Sequence, residues 1–199
     1  MVKIGILIFP KAEELDFAGP FEVLNYINKI RPESTGVLLV AETAETVRLF
    51  NGLRVVPDTT INECPPLDVL VIPGGQGRLT AMKNPVMQRF VRGKVKDVRY
   101  MVSVCTGAFI LAEAGLLQGK RATTYHTAFD ELASYGVKVM KAKVVKDGSI
   151  ITGAGVSSGI ETSLVLLAEL FGTETAQQVA DRVEYDVEVE TLRKMAESV

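Results

Sequence analysis

Cysteine and histidine are scarce in this 199-residue chain: there are two of the former, Cys64 and Cys105, and one of the latter, His126. Two cysteines so far apart exclude a disulfide framework. A single histidine with no clustered Cys, Asp or Glu leaves nothing at metal-ligand spacing, so no metal is expected. No Lys/Arg block appears and the net charge is -2. Nucleic acid is therefore not an expected partner, because gripping phosphates takes a concentrated basic surface. Long apolar runs are missing too. None approaches the ~20 residues of a membrane helix, and MVKIGILIFP lacks the longer apolar region and small-residue cleavage site of a signal peptide. These absences predict a cytoplasmic protein with reduced thiols and no membrane partner. Repeats, low-complexity stretches and internal linkers are also absent, and the length suits one domain over 1–199, with a core over about 2–186 and a charged tail after it.

What is present is alternation. Short apolar runs rich in β-branched residues, VKIGILIF (2–9), GVLLVAE (36–42), DVLVIP (68–73) and YMVSV (100–104), read as parallel strands covered on both faces. Between them lie helical patterns at about 18–30, 85–97 and 107–117, the second opened by an Asn84-Pro85 cap. The alternation predicts an α/β three-layer sandwich with a mostly parallel sheet. Asn51-Gly52 and Asp147-Gly148 are tight-turn pairs, predicting two hairpins that decorate it. Ser158 and Glu161 have the spacing of a capping box at the start of SSGIETSLVLLAELFG, and a last helix is expected at about 174–186.

Three segments carry residues with chemistry. In Ser103-Val104-Cys105-Thr106-Gly107 a cysteine ends a strand between small residues, the pattern of a nucleophile elbow in which bulk would collide as the chain reverses. A thiol at the following helix N-terminus is expected to have a lowered pKa. The alternative is a packed core thiol, since free cysteine is among the most buried residue types. VIPGG (71–75) ends a strand in Gly74 and Gly75, whose N–H groups could serve an oxyanion at the carboxyl edge of the sheet or simply make a tight turn. LDFAGPFEVL (15–24) places Asp16 either as an N-terminal charge on a helix or as a carboxyl that shares a proton with the thiol. His126, in ATTYHTAF, is either an imidazole partner for the thiolate or a surface residue at a helix start. Cys64, in NECPPLD, falls in a loop and receives no role.

Taken in order, LDFAGPFEVL, DVLVIPGG, VCTGAFILAEAGLLQGKRATTYH and VVKDGSIITGAGVSSGIE resemble the ThiJ/PfpI superfamily over about residues 2–186. The resemblance implies a flavodoxin-like fold, akin to the class I glutamine amidotransferases, and a homodimer. Within the superfamily the chain is most similar to the isonitrile hydratase branch, on Asp16 in Asp-x-x-Gly-Pro and on Thr106 directly after Cys105. PfpI-type peptidases carry histidine where this chain has Thr106. Deglycase and glyoxalase relatives generally place glutamate where it has Asp16. Their Thr-Thr-His segment aligns its histidine with Tyr125, leaving His126 one residue later.

The similarity implies a cofactor-free, cysteine-dependent lyase acting on a small molecule, which turns an isonitrile into an N-substituted formamide through a thioimidate. Cys105 would be the nucleophile, Asp16 the proton carrier, and Thr106 with Gly74 or Gly75 the groups orienting substrate or water; Tyr125 and His126 would be secondary. Glyoxalase, deglycase or amide hydrolase chemistry, and a sensor with a reactive cysteine, are the alternatives.

Overall fold

Each apolar run becomes a strand, and the helix after it returns the chain to the same edge of one sheet. The computed structural model describes residues 1–199. The strands are β1 (Val2–Leu7), β2 (Thr35–Ala41), β3 (Val47–Arg48), β4 (Arg54–Val55), β5 (Thr59–Thr60), β6 (Val69–Ile72), β7 (Tyr100–Val104), β8 (Arg121–Ala122), β9 (Lys138–Val139), β10 (Val144–Asp147) and β11 (Ile150–Gly153). The helices are α1 (Glu14–Tyr26), α2 (Arg78–Ala81), α3 (Pro85–Lys94), α4 (Ala108–Glu113), α5 (Phe129–Ala133), α6 (Ser158–Phe171), α7 (Thr173–Arg182) and α8 (Val189–Ser198). Seven strands form one sheet in the order β10-β11-β7-β6-β1-β2-β5, parallel throughout except for the antiparallel β10–β11 pair at one end. Helices α1, α6 and α7 pack together in one layer and α3, α4 and α5 in another. The α/β class read from the alternation is the observed one.

Burial on both faces explains why these strands are apolar at every position rather than at alternate ones. All four residues of β6 and the last four of β1 and of β7 are buried. Helix α3 opens as expected: the Asn84 side chain accepts from the N–H groups of Val86 and Met87, with Pro85 in the first turn where no donor is needed.

Four expectations change. The Asp147-Gly148 hairpin is not a decoration, because its second strand, β11, pairs in parallel with β7 and extends the main sheet; the Asn51-Gly52 hairpin does stand apart as the short β3–β4 pair. Helix α1 starts at Glu14, which puts Asp16 inside its first turn. Ser158 and Glu161 do not cap α6: its cap is Ser157, with no side-chain bond, and Glu161 pairs instead with Lys143. The residues read as a charged tail form α8, which buries Val189 and Ala196 and ties itself to β10 and α6 through Lys146–Glu197 and Arg193–Glu169.

Candidate active site

Strands β7, β6 and β1 are neighbours, and their register brings three loop ends together. Val71 pairs with Val102 and Ile72 with Ser103; two residues further on, Gly74 lies level with Cys105. Asp16 arrives from the far side, carried back over the end of β1 by the first turn of α1. Parallel strands open such a crevice at their carboxyl edge, where helices depart to opposite faces.

The chain turns sharply at Cys105. Its φ is +56°, in the left-handed region that residues with a Cβ avoid at a cost of about 1–3 kcal/mol. A 3₁₀ turn over Cys105–Gly107 follows and then α4. The small residue expected after the turn is required: a Cβ on Gly107 would collide with the Ile72 carbonyl oxygen. On the other side, Ser103 is fully buried. Gly74 is equally constrained, since a Cβ there would sit 2.5 Å from the Thr106 nitrogen.

Hydrogen bonds then join the three segments. The Gly74 N–H donates to Asp16 Oδ2 at 2.9 Å, and the Gly75 N–H donates to Thr106 Oγ1 at 3.0 Å. Neither N–H is therefore free for an oxyanion, a change from the expected donor roles of Gly74 and Gly75; they hold Asp16 and Thr106 in place. The Thr124 hydroxyl donates to the Cys105 carbonyl at 2.9 Å and is itself buried. Thr124 was not singled out from sequence, although it stands directly before Tyr125 and His126 and after another threonine. A polar pair ending the short β8 was the available signal.

Asp16 is fully buried, and its Oδ1 has no hydrogen-bond partner. Burial pushes its carboxyl up to about 7, against the bond from Gly74, with the Glu13 charge adding to the rise. Cys105 is 5% exposed, and burial followed by the Asp16 charge pushes its thiol up to about 12, against the Thr106 N–H and hydroxyl. The expected lowering by a helix N-terminus is overturned. The helix is only six residues long and set back behind the 3₁₀ turn, whereas desolvation and a neighbouring carboxylate act on the sulfur directly. Near neutrality the two groups titrate as one pair.

His126 is exposed, its ring stacked on Tyr125 with centroids 4.4 Å apart, and no hydrogen bond links it to Cys105. Tyr125 is half-buried; a Cβ on Gly155 would touch its ring at 3.6 Å. Cys64 is half-buried behind the sheet's other connections and packs on the core.

Comparison with known proteins agrees with this geometry. The chain is 41% identical over 184 residues to a protein of Pseudomonas putida named isonitrile hydratase, covering 92% of this chain and 78% of that one. It is 29% identical over 178 residues to protein dj-1beta of Drosophila melanogaster, with 88% and 92% covered. Among solved structures, a THiJ/PfpI family protein from Pseudomonas syringae superposes with a TM-score of 0.87 at 31% identity, over 98% of this chain and 84% of that one. Drosophila DJ-1beta superposes with a TM-score of 0.84 at 26% identity, over 94% and 99%. Residues 2–169 match the DJ-1/PfpI family as a whole, and this protein belongs to it.

Proposed function

We propose that the protein hydrates isonitriles, R–N≡C, to N-substituted formamides, with Cys105 as nucleophile and Asp16 as proton carrier. The observation that carries this is the buried Asp16–Cys105 pair, which holds one proton between about pH 7 and pH 12. An isonitrile carbon must receive both a proton and a nucleophile at the same atom. A thiol beside a carboxylate supplies both. Asp16 takes the thiol proton and delivers it to the terminal carbon, the sulfur bonds to that carbon, and the product is a thioimidate, R–N=CH–S–Cys105. Water then adds to the same carbon, its proton passing to Asp16. Collapse of the adduct breaks the C–S bond, protonates sulfur and nitrogen, and releases R–NH–CHO. Overall one water is consumed and the enzyme returns to its starting state.

The Thr106 N–H facing the sulfur steadies it while it carries charge. The relative named isonitrile hydratase shares 41% of the aligned residues, which supports this choice of substrate. A relative named glutathione-independent glyoxalase, from Caenorhabditis elegans, matches at 28% over 69% of this chain; the exposed His126, with no bond to Cys105, weighs against a histidine-assisted route of that kind. The family also carries the expectation of a homodimer, which sedimentation of the purified protein checks.

The test is to incubate purified protein with several alkyl isonitriles and follow formamide. Turnover is expected to vanish in Cys105→Ala and Asp16→Asn and to survive His126→Ala. No turnover above the Cys105→Ala background with any substituent overturns the proposal. For the wild type, kcat/KM is expected to rise with pH through about 7 as Asp16 becomes able to accept the thiol proton, then to level.

A further inference from the structure

A second polar centre lies apart from Cys105, where α8 and the α7–α8 connection lean over β10. A cavity of about 520 Å³ opens there, within the range of small-molecule sites. One wall is Glu161, in the first turn of α6 and only 2% exposed. Its Oε1 accepts from Lys143 Nζ at 2.6 Å, but Oε2, equally buried, has no hydrogen-bond partner. Tyr185 lines the same space, and burial together with the Glu161 carboxylate pushes its phenol up to about 12, so it faces Glu161 as a neutral hydroxyl. A buried carboxylate oxygen without a donor is a rare and costly feature, so it marks a place where a donor belongs.

The rest of the lining says what kind. Val187, Leu192 and Met195 make an apolar side, which no hard metal ion would choose and which suits a hydrocarbon body. The ionic groups around the rim are unbalanced by one: Glu161, Asp186 and Glu188 against Lys141 and Lys143. A ligand with a single positive head and an aliphatic body satisfies the unpartnered oxygen, the charge and the apolar wall together.

We propose that this cavity binds a small aliphatic ammonium ion, whose head donates to Glu161 Oε2 and whose chain lies along Val187, Leu192 and Met195. The site is independent of the chemistry assigned to Cys105. Lys143 is its internal competitor: its side chain is 68% exposed and reaches the other oxygen of the same carboxylate.

Titration calorimetry of the intact protein with hexylammonium, hexanol and hexanoate tests this. Hexylammonium is expected to bind with a Kd below about 1 mM, with the alcohol and the acid at least about tenfold weaker. Glu161→Gln keeps the shape and removes the charge, and is expected to weaken hexylammonium about tenfold to a hundredfold. Lys143→Met removes the competing cation and is expected to tighten it severalfold; this exposed substitution carries the test should Glu161→Gln fail to fold. Equal binding of the alcohol, no binding of hexylammonium, or weaker binding in Lys143→Met overturns the proposal.

Discussion

Asp16 is the residue on which both the chemistry and the stability turn. An unfolded aspartate titrates near 4, whereas this one does so near 7. Between those values the native state keeps a proton that the unfolded chain has released. Stability from this group is therefore full below about pH 4 and is lost as pH rises through about 7. Asp16→Asn keeps an acceptor for the Gly74 N–H and removes the titration. It is expected to stabilise the fold by on the order of 3 kcal/mol at pH 8 and hardly at all at pH 4, while abolishing turnover. Urea unfolding at the two pH values checks this. Cys105 and Asp16 were both legible in the sequence because the elbow and the Asp-x-x-Gly-Pro segment are local patterns. The direction of the thiol's shift was not. It depends on how deeply two residues 89 positions apart are buried against each other, and no local pattern encodes that.

The elements around the site work as clamps on one strained turn. Strand β7 delivers Cys105 into a left-handed backbone, and β8 returns to hold its carbonyl through Thr124. Thr124→Val keeps the volume and removes that bond, so it is expected to cost about 1–2 kcal/mol of stability. It should also lower kcat more than KM, because the turn loosens without losing a wall of the crevice; steady-state kinetics separates the two. Of two inactive variants, Cys105→Gly is expected to be more stable than Cys105→Ala by about 1 kcal/mol, since only the former relaxes the positive φ; paired thermal melts show the order. Helix α8 was misread as a tail because its residues are mostly charged. Val189, Leu192 and Ala196 nevertheless fall at i, i+3 and i+7, a narrow apolar stripe that packing against β10 and α6 makes sufficient. Glu161 shows the opposite failure: its spacing from Ser158 suited a cap, but Lys143 on a distant strand supplied a nearer partner.

For the molecule as a whole, two sets of carboxyl groups oppose each other. Ion pairs hold Glu113, Glu131, Asp147 and Glu197 below the usual carboxylate range, and hydrogen bonds led by Thr173 take Glu190 down to about 2. Their contribution is present above the unfolded pKa values and is lost as pH falls below about 4.5. Asp16 works in the other direction as pH rises toward 7. The wild-type protein is therefore expected to be most stable at about pH 5, with the Asp16→Asn variant keeping its stability up to about pH 8; melting temperature against pH reveals the two shapes. The fold class itself was readable from alternation alone. The membership of β11 in the main sheet was not, since pairing partners of a hairpin are set by what else the sheet leaves open.

The two ends of that sheet have a further consequence. Strand β5 is only two residues long, and at the opposite end Arg121 donates its guanidinium to the Lys146 carbonyl and its N–H to the Asp147 side chain. A flat row of free backbone donors and acceptors is what lets sheets zip together between molecules. Here one margin is too short and the other is blocked by a charged side chain, so the fold resists edge-to-edge aggregation while keeping a long, fully apolar sheet inside it.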